Sequence, residues 1–236
     1  MSAGRLHLLA TWLSEDTPPQ AVVPAAALER LHAIEHFVVE DAKSARRFLA
    51  ACGHPRTMRE IAMAVLDEHT PAGQVPAMLA PVLEGKDLGL LSEAGMPAVA
   101  DPGALLVAAA HRRGIAVVPW VGPSSIVLAL AASGLEGQRF RFLGYLPAEA
   151  VARRAAIADL ERESSRRRET QIFIETPYRN DALLGDLLAT CKDSTRLCVA
   201  ADLTSPSQTI RSAPVEGWKK TPSILGKRPA IFLLLA

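Results

Sequence analysis

Cysteine, long apolar runs and an excess of charge of either sign are all scarce in this chain of 236 residues. Its three cysteines, Cys52, Cys191 and Cys198, are an odd, scattered set. They are too few for a disulfide frame and lack the spacing of a zinc site, so they read as reduced core thiols. No apolar stretch approaches the ~20 residues of a membrane-spanning helix, and Met1-Ser-Ala-Gly-Arg5 lacks the apolar core of a signal peptide, so a cytoplasmic protein is expected. The formal net charge is +1. Residues 1–122 carry 10 basic and 13 acidic side chains, and residues 123–236 carry 16 and 12. That tilt permits an anionic partner for the second half but falls short of the footprint of a dedicated nucleic-acid binder. The triplet Arg166-Arg167-Arg168 has acidic neighbours and reads as a solvated helix end.

Several chemistries are absent as well. There is no G-x-x-x-x-G-K-[ST], no G-x-G-x-x-G, no H-E-x-x-H and no G-x-S-x-G, which removes the common triphosphate, dinucleotide, zinc-protease and serine-hydrolase signatures. The histidines at 7, 32, 36, 54, 69 and 111 do not cluster at metal-ligand spacing, so no metal is expected.

What is present is a core and a set of glycine and proline loops. With 49% hydrophobic and 22% charged residues, the chain can bury two modest cores. The stretch on which the rest turns is Leu88-Gly-Leu-Leu-Ser-Glu-Ala-Gly-Met-Pro-Ala-Val-Ala-Asp-Pro-Gly-Ala104. Leu88 to Leu91 is a short buried-strand pattern, and Ala104 to Arg113 reads as a helix with His111, Arg112 and Arg113 at its end and Gly114 beyond. The loop between them lies at a strand's carboxyl end and feeds a helix start, where open α/β sheets bind ligands. Gly95 and Gly103 allow close approach or positive φ. Asp101 before Pro102 suits either a helix cap or a ligand contact, and spacing leaves both open.

In chain order, Arg5 to Ala10 and His36 to Glu40 read as strands, with helices over Pro24 to Ile34 and Asp41 to Ala51. Residues 56–69 fit a strand or a helix equally well, and Pro71 to Leu83 reads as helical. Ile115 to Pro119 is a strand that runs into Trp120-Val-Gly-Pro-Ser-Ser125 and an apolar helix over Ile126 to Ser133. This strand–helix alternation predicts a mainly parallel α/β lobe over residues 1–121. The second half reads as strands at Arg139 to Leu146, Gln171 to Glu175, Arg196 to Ala201, Ser207 to Arg211 and Ala230 to Leu235. A long charged helix runs from Ala148 to about Arg168, a further helix follows Thr176-Pro177-Tyr178, and a short segment near Glu216-Gly-Trp218 is helix or loop. Neighbouring strands without long helices predict an α+β lobe with a mixed sheet over residues 122–236, and a cleft between the lobes.

Four segments, Ser92 to Gly103, Val118 to Ser125, Gly144-Tyr-Leu-Pro147 and Phe173-Ile-Glu-Thr-Pro-Tyr-Arg179, together resemble the tetrapyrrole methylase superfamily of S-adenosylmethionine-dependent methyltransferases. The branch they are most similar to holds bacterial ribosomal RNA ribose 2′-O-methyltransferases. The resemblance implies two α/β lobes, S-adenosylmethionine in the cleft, a homodimer, and methyl transfer that relies on placement and desolvation. Carried over, it sets Ser92, Glu93, Ala94 and Gly95 beside the cofactor, with Asp101, Pro102 and Gly103 completing that loop. Pro123, Ser124 and Ser125 would come from the junction, and Tyr145, Leu146 and Pro147 from the second lobe. Glu175, Thr176, Ala200 and Ala201 would lie on the adenine side. No general base is identified. The pattern departs in the acceptor half. Thr11-Trp-Leu-Ser-Glu15 stands where the ribosomal RNA enzymes show Thr-Pro-Ile-Gly-Asn, Ala42-Lys43 follows the kept Glu40-Asp41, and Ala148-Glu149-Ala150 replaces a lysine-rich turn. These changes leave the acceptor open between RNA and a small molecule. They also leave room for a non-catalytic relative that binds a nucleoside ligand or a protein partner.

Overall fold

The structure is a computed structural model that describes residues 4–221 and 223–236; Met1-Ser-Ala of the leader reading lies outside the described residues. The chain divides into two compact units, Met1–Ser124 and Ser125–Ala236.

The first unit runs β1 (Leu6–Leu8), α1 (Pro19–Val22), α2 (Ala25–His32), β2 (His36–Val39), α3 (Ala42–Ala51), β3 (Ala62–Val65), α4 (Ala80–Leu83), β4 (Leu88–Leu91), α5 (Gly103–Arg112) and β5 (Val117–Pro119). Its five strands are all parallel, in the order β3-β2-β4-β1-β5. The strands are short and apolar because both faces are covered. One face packs Phe37, Val39 and Leu91 against Leu28, Leu31, Phe48 and Leu49. The other packs Leu6, Val38, Leu88 and Leu90 against Val75, Leu79, Leu106 and Ala110. Gly89 in β4 is required by this packing, since a Cβ there would stand 2.5 Å from the Phe37 ring. Helix α3 starts where Asp41 accepts the Ser44 N–H at 2.7 Å. Helix α5 ends on His111 and Arg112, with Gly114 at φ 67 just beyond.

The ambiguous stretch 56–69 resolves as β3, paired with β2. The helix expected over 71–83 is only in part α-helical: Val75–Leu79 is a 3₁₀ turn and α4 a single turn. Pro76 and Pro81 each lack the N–H that a longer α-helix would need there.

The second unit holds α6 (Ser125–Ser133), β6 (Phe140–Tyr145), α7 (Ala150–Arg167), β7 (Thr170–Ile174), α8 (Asn180–Thr190), β8 (Arg196–Ala201), β9 (Thr209–Pro214), α9 (Val215–Lys220) and β10 (Ala230–Leu235). The sheet order is β6-β7-β10-β8-β9; β6 and β7 are parallel and the other pairs antiparallel. This is the mixed sheet expected from the sequence. Phe173 and Phe232 stack with ring centroids 6.0 Å apart inside a core shared with Leu183, Leu187 and Trp218. Strand β9 begins two residues later than the apolar pattern suggests. Residues 202–208 are drawn into a tight loop, with Asp202 at φ 50, Thr204 at φ 72 and the Ser205 N–H bonded to Asp202 O.

The Arg-rich helix end is solvated and paired, with Arg166 and Arg167 both on Glu163 and Arg168 closing α7 at φ 51. All three cysteines are buried and free, and burial lifts the Cys52 and Cys191 thiols to about 12 and Cys198 to about 11.

Candidate functional site

In the first unit, three loops meet at the carboxyl ends of β1, β4 and β5. Strand β1 lies between β4 and β5, so the loops after all three emerge side by side where the connections diverge. Hydrogen bonds tie the loop after β1 to the loop after β4 and brace the latter. Thr11 N–H donates to Gly95 O at 3.0 Å, Thr11 Oγ1 donates to Ser92 O at 3.4 Å, and Ser92 Oγ donates to Gly95 O at 3.0 Å. Gly95 sits at φ 77, and a Cβ on it would lie 3.0 Å from Leu13 Cδ2 and 3.2 Å from Pro123 O. A Cβ on Gly122 would meet the Ala10 methyl at 2.3 Å. These close approaches are why the segments carry glycine.

The rewritten first loop is therefore firmly seated. Beyond the Thr11 bonds, Trp12 packs edge-on against Phe48 with centroids 5.4 Å apart, and Glu15 pairs with Arg47 at 2.8 Å.

The loop after β4 is held by Asp101. Its Oδ1 accepts the Ala98 N–H at 2.9 Å and the Gly103 N–H at 2.7 Å. Ala98 and Ala100 take positive φ, 65° and 59°, values that L-residues adopt only under local constraint. Of the two roles left open for Asp101, the structure displays a local one: it closes the loop and satisfies the first N–H of α5, while Pro102 occupies the cap position. Burial pushes its carboxyl above the ordinary range, against the two N–H bonds that pull it down.

Glu40, just beyond β2, accepts the Glu93 N–H at 3.1 Å and fixes the start of the same loop. Its carboxyl is also raised, chiefly by burial, then by the neighbouring charges of Asp101, Glu93 and Glu68. Carboxylates that repel one another at a half-buried edge favour a cationic group. Sequence reasoning kept Glu40-Asp41 as a motif without assigning Glu40 a contact; the adjacency of β2 and β4 supplies it.

Among the implied residues of the first unit, Ser92, Gly95, Gly103 and Pro123 are buried, Asp101, Pro102 and Ser124 half-buried, and Glu93 and Ala94 exposed. Ser125 opens α6 in the second unit.

In the second unit, register lines up the remaining implied residues at one end of the sheet's strands. Tyr145 pairs with Ile174, Ile174 with Ile231, Ile231 with Ala200, and Ala201 with Ala230. Leu146 and Pro147 continue from β6, and Glu175 and Thr176 from β7. Glu175 Oε1 accepts from Thr176 N at 2.7 Å and from Arg179 Nη2 at 2.6 Å. Its Oε2 is buried and lacks a donor, as does Oδ1 of buried Asn180, whose Nδ2 donates to Arg228 O at 2.6 Å. These two unsatisfied acceptors, five residues apart in sequence, could each take a hydrogen-bond donor from a ligand. Leu146 and Ala201 belong to the core itself, and Ala200 is equally buried on the other face of the sheet. The segment replacing a lysine-rich turn does structural work: Glu149 caps α7, and Arg153 and Arg154 both pair with Asp186. Among the described residues, no group of histidine, cysteine, aspartate or glutamate is arranged to hold a metal ion, and no helix is long and apolar enough to cross a membrane.

The chain as a whole is similar to several known proteins. The family profile described as Tetrapyrrole (Corrin/Porphyrin) Methylases matches residues 21–217. The chain is similar to "Ribosomal RNA small subunit methyltransferase I" of Escherichia coli O157:H7, 33% identical over 214 residues, 91% of this chain and 70% of that protein. It is also similar to the protein of the same name from Xylella fastidiosa, 37% identical over 210 residues, 88% of this chain and 71% of the other. Among solved structures, the methyltransferase CobJ superposes with a TM-score of 0.65 at 16% identity, over 99% of this chain and 94% of that one. Uroporphyrin-III-C-methyltransferase from Thermus thermophilus gives 0.55 at 20% identity, over 98% and 92%.

Proposed function

The chain belongs to the tetrapyrrole (corrin/porphyrin) methylase family, and on that premise we propose that it is an S-adenosylmethionine-dependent methyltransferase acting on a ribose 2′-hydroxyl of small-subunit ribosomal RNA. The observation that carries the cofactor reading is the junction of loops at Gly95, where the segments after β1, β4 and β5 close on one another. The RNA acceptor is supported by the names of the relatives, which this chain matches over most of its length.

S-adenosylmethionine supplies an electrophilic methyl group on a cationic sulfonium. The residues present suit such a ligand: Ser92 to Gly95 offer close-approach backbone, and Glu40, Glu93 and Asp101 gather negative charge at the same edge. In the second unit, the buried acceptors Glu175 Oε2 and Asn180 Oδ1 suit amine or hydroxyl donors. We assign Ser92, Glu93, Ala94, Gly95, Asp101, Pro102, Gly103, Pro123, Ser124 and Ser125 to cofactor binding. Tyr145, Leu146, Pro147, Glu175, Thr176, Ala200 and Ala201 complete the assignment; for the core-buried Leu146, Ala200 and Ala201 the contribution is backbone and shape. Catalysis then rests on holding the acceptor oxygen in line with the methyl group and keeping water out. A cytoplasmic homodimer is part of the same reading, supported by the family resemblance and by the exposed apolar side chains Val127 and Leu128 on α6.

The test is methyl transfer from labelled S-adenosylmethionine to small ribosomal subunits prepared from a strain lacking this gene. A 2′-O-methyl group removes the nucleophile of alkaline RNA cleavage, so the label is expected in alkali-resistant dinucleotides. Label in base-modified mononucleotides, or in small molecules alone, would overturn the ribose assignment.

A further inference from the structure

His7 is 2% exposed, in the middle of β1, yet both of its ring nitrogens face polar groups. Nδ1 lies 3.0 Å from the indole Nε1 of Trp120, and the two rings have centroids 6.2 Å apart at 33°. Nε2 lies 3.3 Å from Asp87 Oδ2, a contact that becomes an ion pair only when the ring is protonated and that is not aligned as a hydrogen bond. An indole N–H can only donate, so His7 Nδ1 must accept and the proton of the neutral ring sits on Nε2, toward the carboxylate. Asp87 is held in turn by the Arg5 N–H at 3.0 Å and by Arg30 Nη1 at 3.1 Å. Polar contacts therefore run from Arg30 through Asp87 and His7 to Trp120.

Trp120 leads directly into the site. Its own N–H donates to Leu8 O at 3.0 Å, and the residues that follow, Gly122 and Pro123, are those that approach Ala10 and Gly95. We propose that His7 is a positioning residue for this loop: its neutral imidazole, through the Trp120 indole, holds residues 120–124 in the shape that receives S-adenosylmethionine, and protonation of the ring releases them. The inference rests on the methyltransferase reading and adds a residue and a pH dependence to it.

A doubly protonated imidazole has no acceptor, so Nδ1–H would face the indole N–H donor to donor and the bond would be lost. The charged groups acting on the ring are Asp87 just before β4, Arg30 from α2 and Arg5 just before β1. Burial, the largest influence, lowers the ring's pKa below its ordinary value; Asp87 opposes this, and the two arginines add to it. The neutral ring thus prevails at neutral pH, and release belongs to acid.

The experiment follows His7 and Trp120 in the full-length protein by nitrogen-15 NMR, with the indole signal assigned through Trp120→Phe. In parallel, binding of S-adenosylhomocysteine is titrated between about pH 7 and about pH 5. The expected ring pattern is a proton on Nε2 at neutral pH, with the Trp120 indole signal moving as His7 titrates. Wild-type affinity is expected to weaken roughly three- to tenfold in acid, the worth of one neutral hydrogen bond. His7→Asn places an amide oxygen near the Nδ1 position and does not titrate, so it should hold the indole and flatten this acid limb. Glu40 and Asp101 also titrate in acid but remain in that variant, so the difference isolates His7. Trp120→Phe should bind more weakly at every pH. A proton on Nδ1 at neutral pH, or an acid limb unchanged in His7→Asn, overturns the inference. No binding by the wild type at any pH overturns the cofactor reading and this role with it, whereas the NMR result judges the His7–Trp120 bond alone, so the two failures are told apart.

Discussion

Thr11 and Gly95, 84 residues apart in sequence, are joined by a backbone hydrogen bond of 3.0 Å that locks the loop after the first strand onto the loop after the fourth. Only glycine meets the demands at position 95, where φ is 77 and a Cβ would press on Leu13 and Pro123. Gly95→Ala is expected to cost about 1–2 kcal/mol from the left-handed backbone alone. It should also weaken S-adenosylhomocysteine binding by roughly tenfold or more, because a small misplacement of these loops is costly. Urea titration and calorimetry on the same preparation check both numbers. Gly89→Ala is the control: its Cβ would strike the Phe37 ring, costing about 1–3 kcal/mol in the sheet core. Once folded, it should bind normally.

Asp101 separates structure from ligand recognition. Asp101→Asn keeps an oxygen for the Ala98 and Gly103 N–H groups, while Asp101→Ala leaves both unpaired at a cost of about 1–3 kcal/mol. The wild-type carboxyl is raised by burial, so its ionised form is disfavoured in the fold: the penalty is present above the folded pKa and relieved as pH falls through it. Relative to Asp101→Asn, the wild type should therefore gain stability on acidification, as read by thermal melts across that range. If Asp101 also serves a cationic ligand, the Asn variant will fold well and bind poorly.

Much of this architecture is legible in the sequence because short apolar runs bounded by polar residues leave few alternatives. Leu88-Gly-Leu-Leu91 could only be a covered strand, and the glycines and prolines after it only a loop. The stretch around β3 is not legible, because Ala62-Met-Ala-Val65 has neither a clear period of two nor of 3.6 and becomes a strand only by pairing with β2. The 3₁₀ turn at Val75–Leu79 reflects prolines that composition alone cannot place against a helical pattern. In the site, local motifs announce Ser92 to Gly103, but Glu40 reaches Glu93 across 53 residues, and His7 meets Trp120 across 113. Such contacts are products of strand order, and no local pattern carries them.

Arg153 and Asp186 form a pair that is largely removed from water between α7 and α8. Arg153→Met should destabilise the second unit by about 3 kcal/mol, near the lower end for a broken buried pair, because Arg154 stays on Asp186. A downward shift of the urea midpoint with an unchanged slope is the expected signature.

Cys52, Cys191 and Cys198 should resist alkylation in the native protein at mildly alkaline pH. Burial both blocks access and lifts their thiols to about 12, 12 and 11, so thiolate is scarce. Mass spectrometry should show negligible labelling with iodoacetamide before denaturation and three adducts after it.

The most direct test of the account is titration calorimetry of the wild-type chain with S-adenosylmethionine, repeated on Asp101→Ala. The account predicts saturable binding in the micromolar range by the wild type and clearly weaker binding by the variant. No measurable binding by a folded wild-type protein, or equal affinity in the two, would contradict the assignment of the β4–α5 loop as the cofactor site.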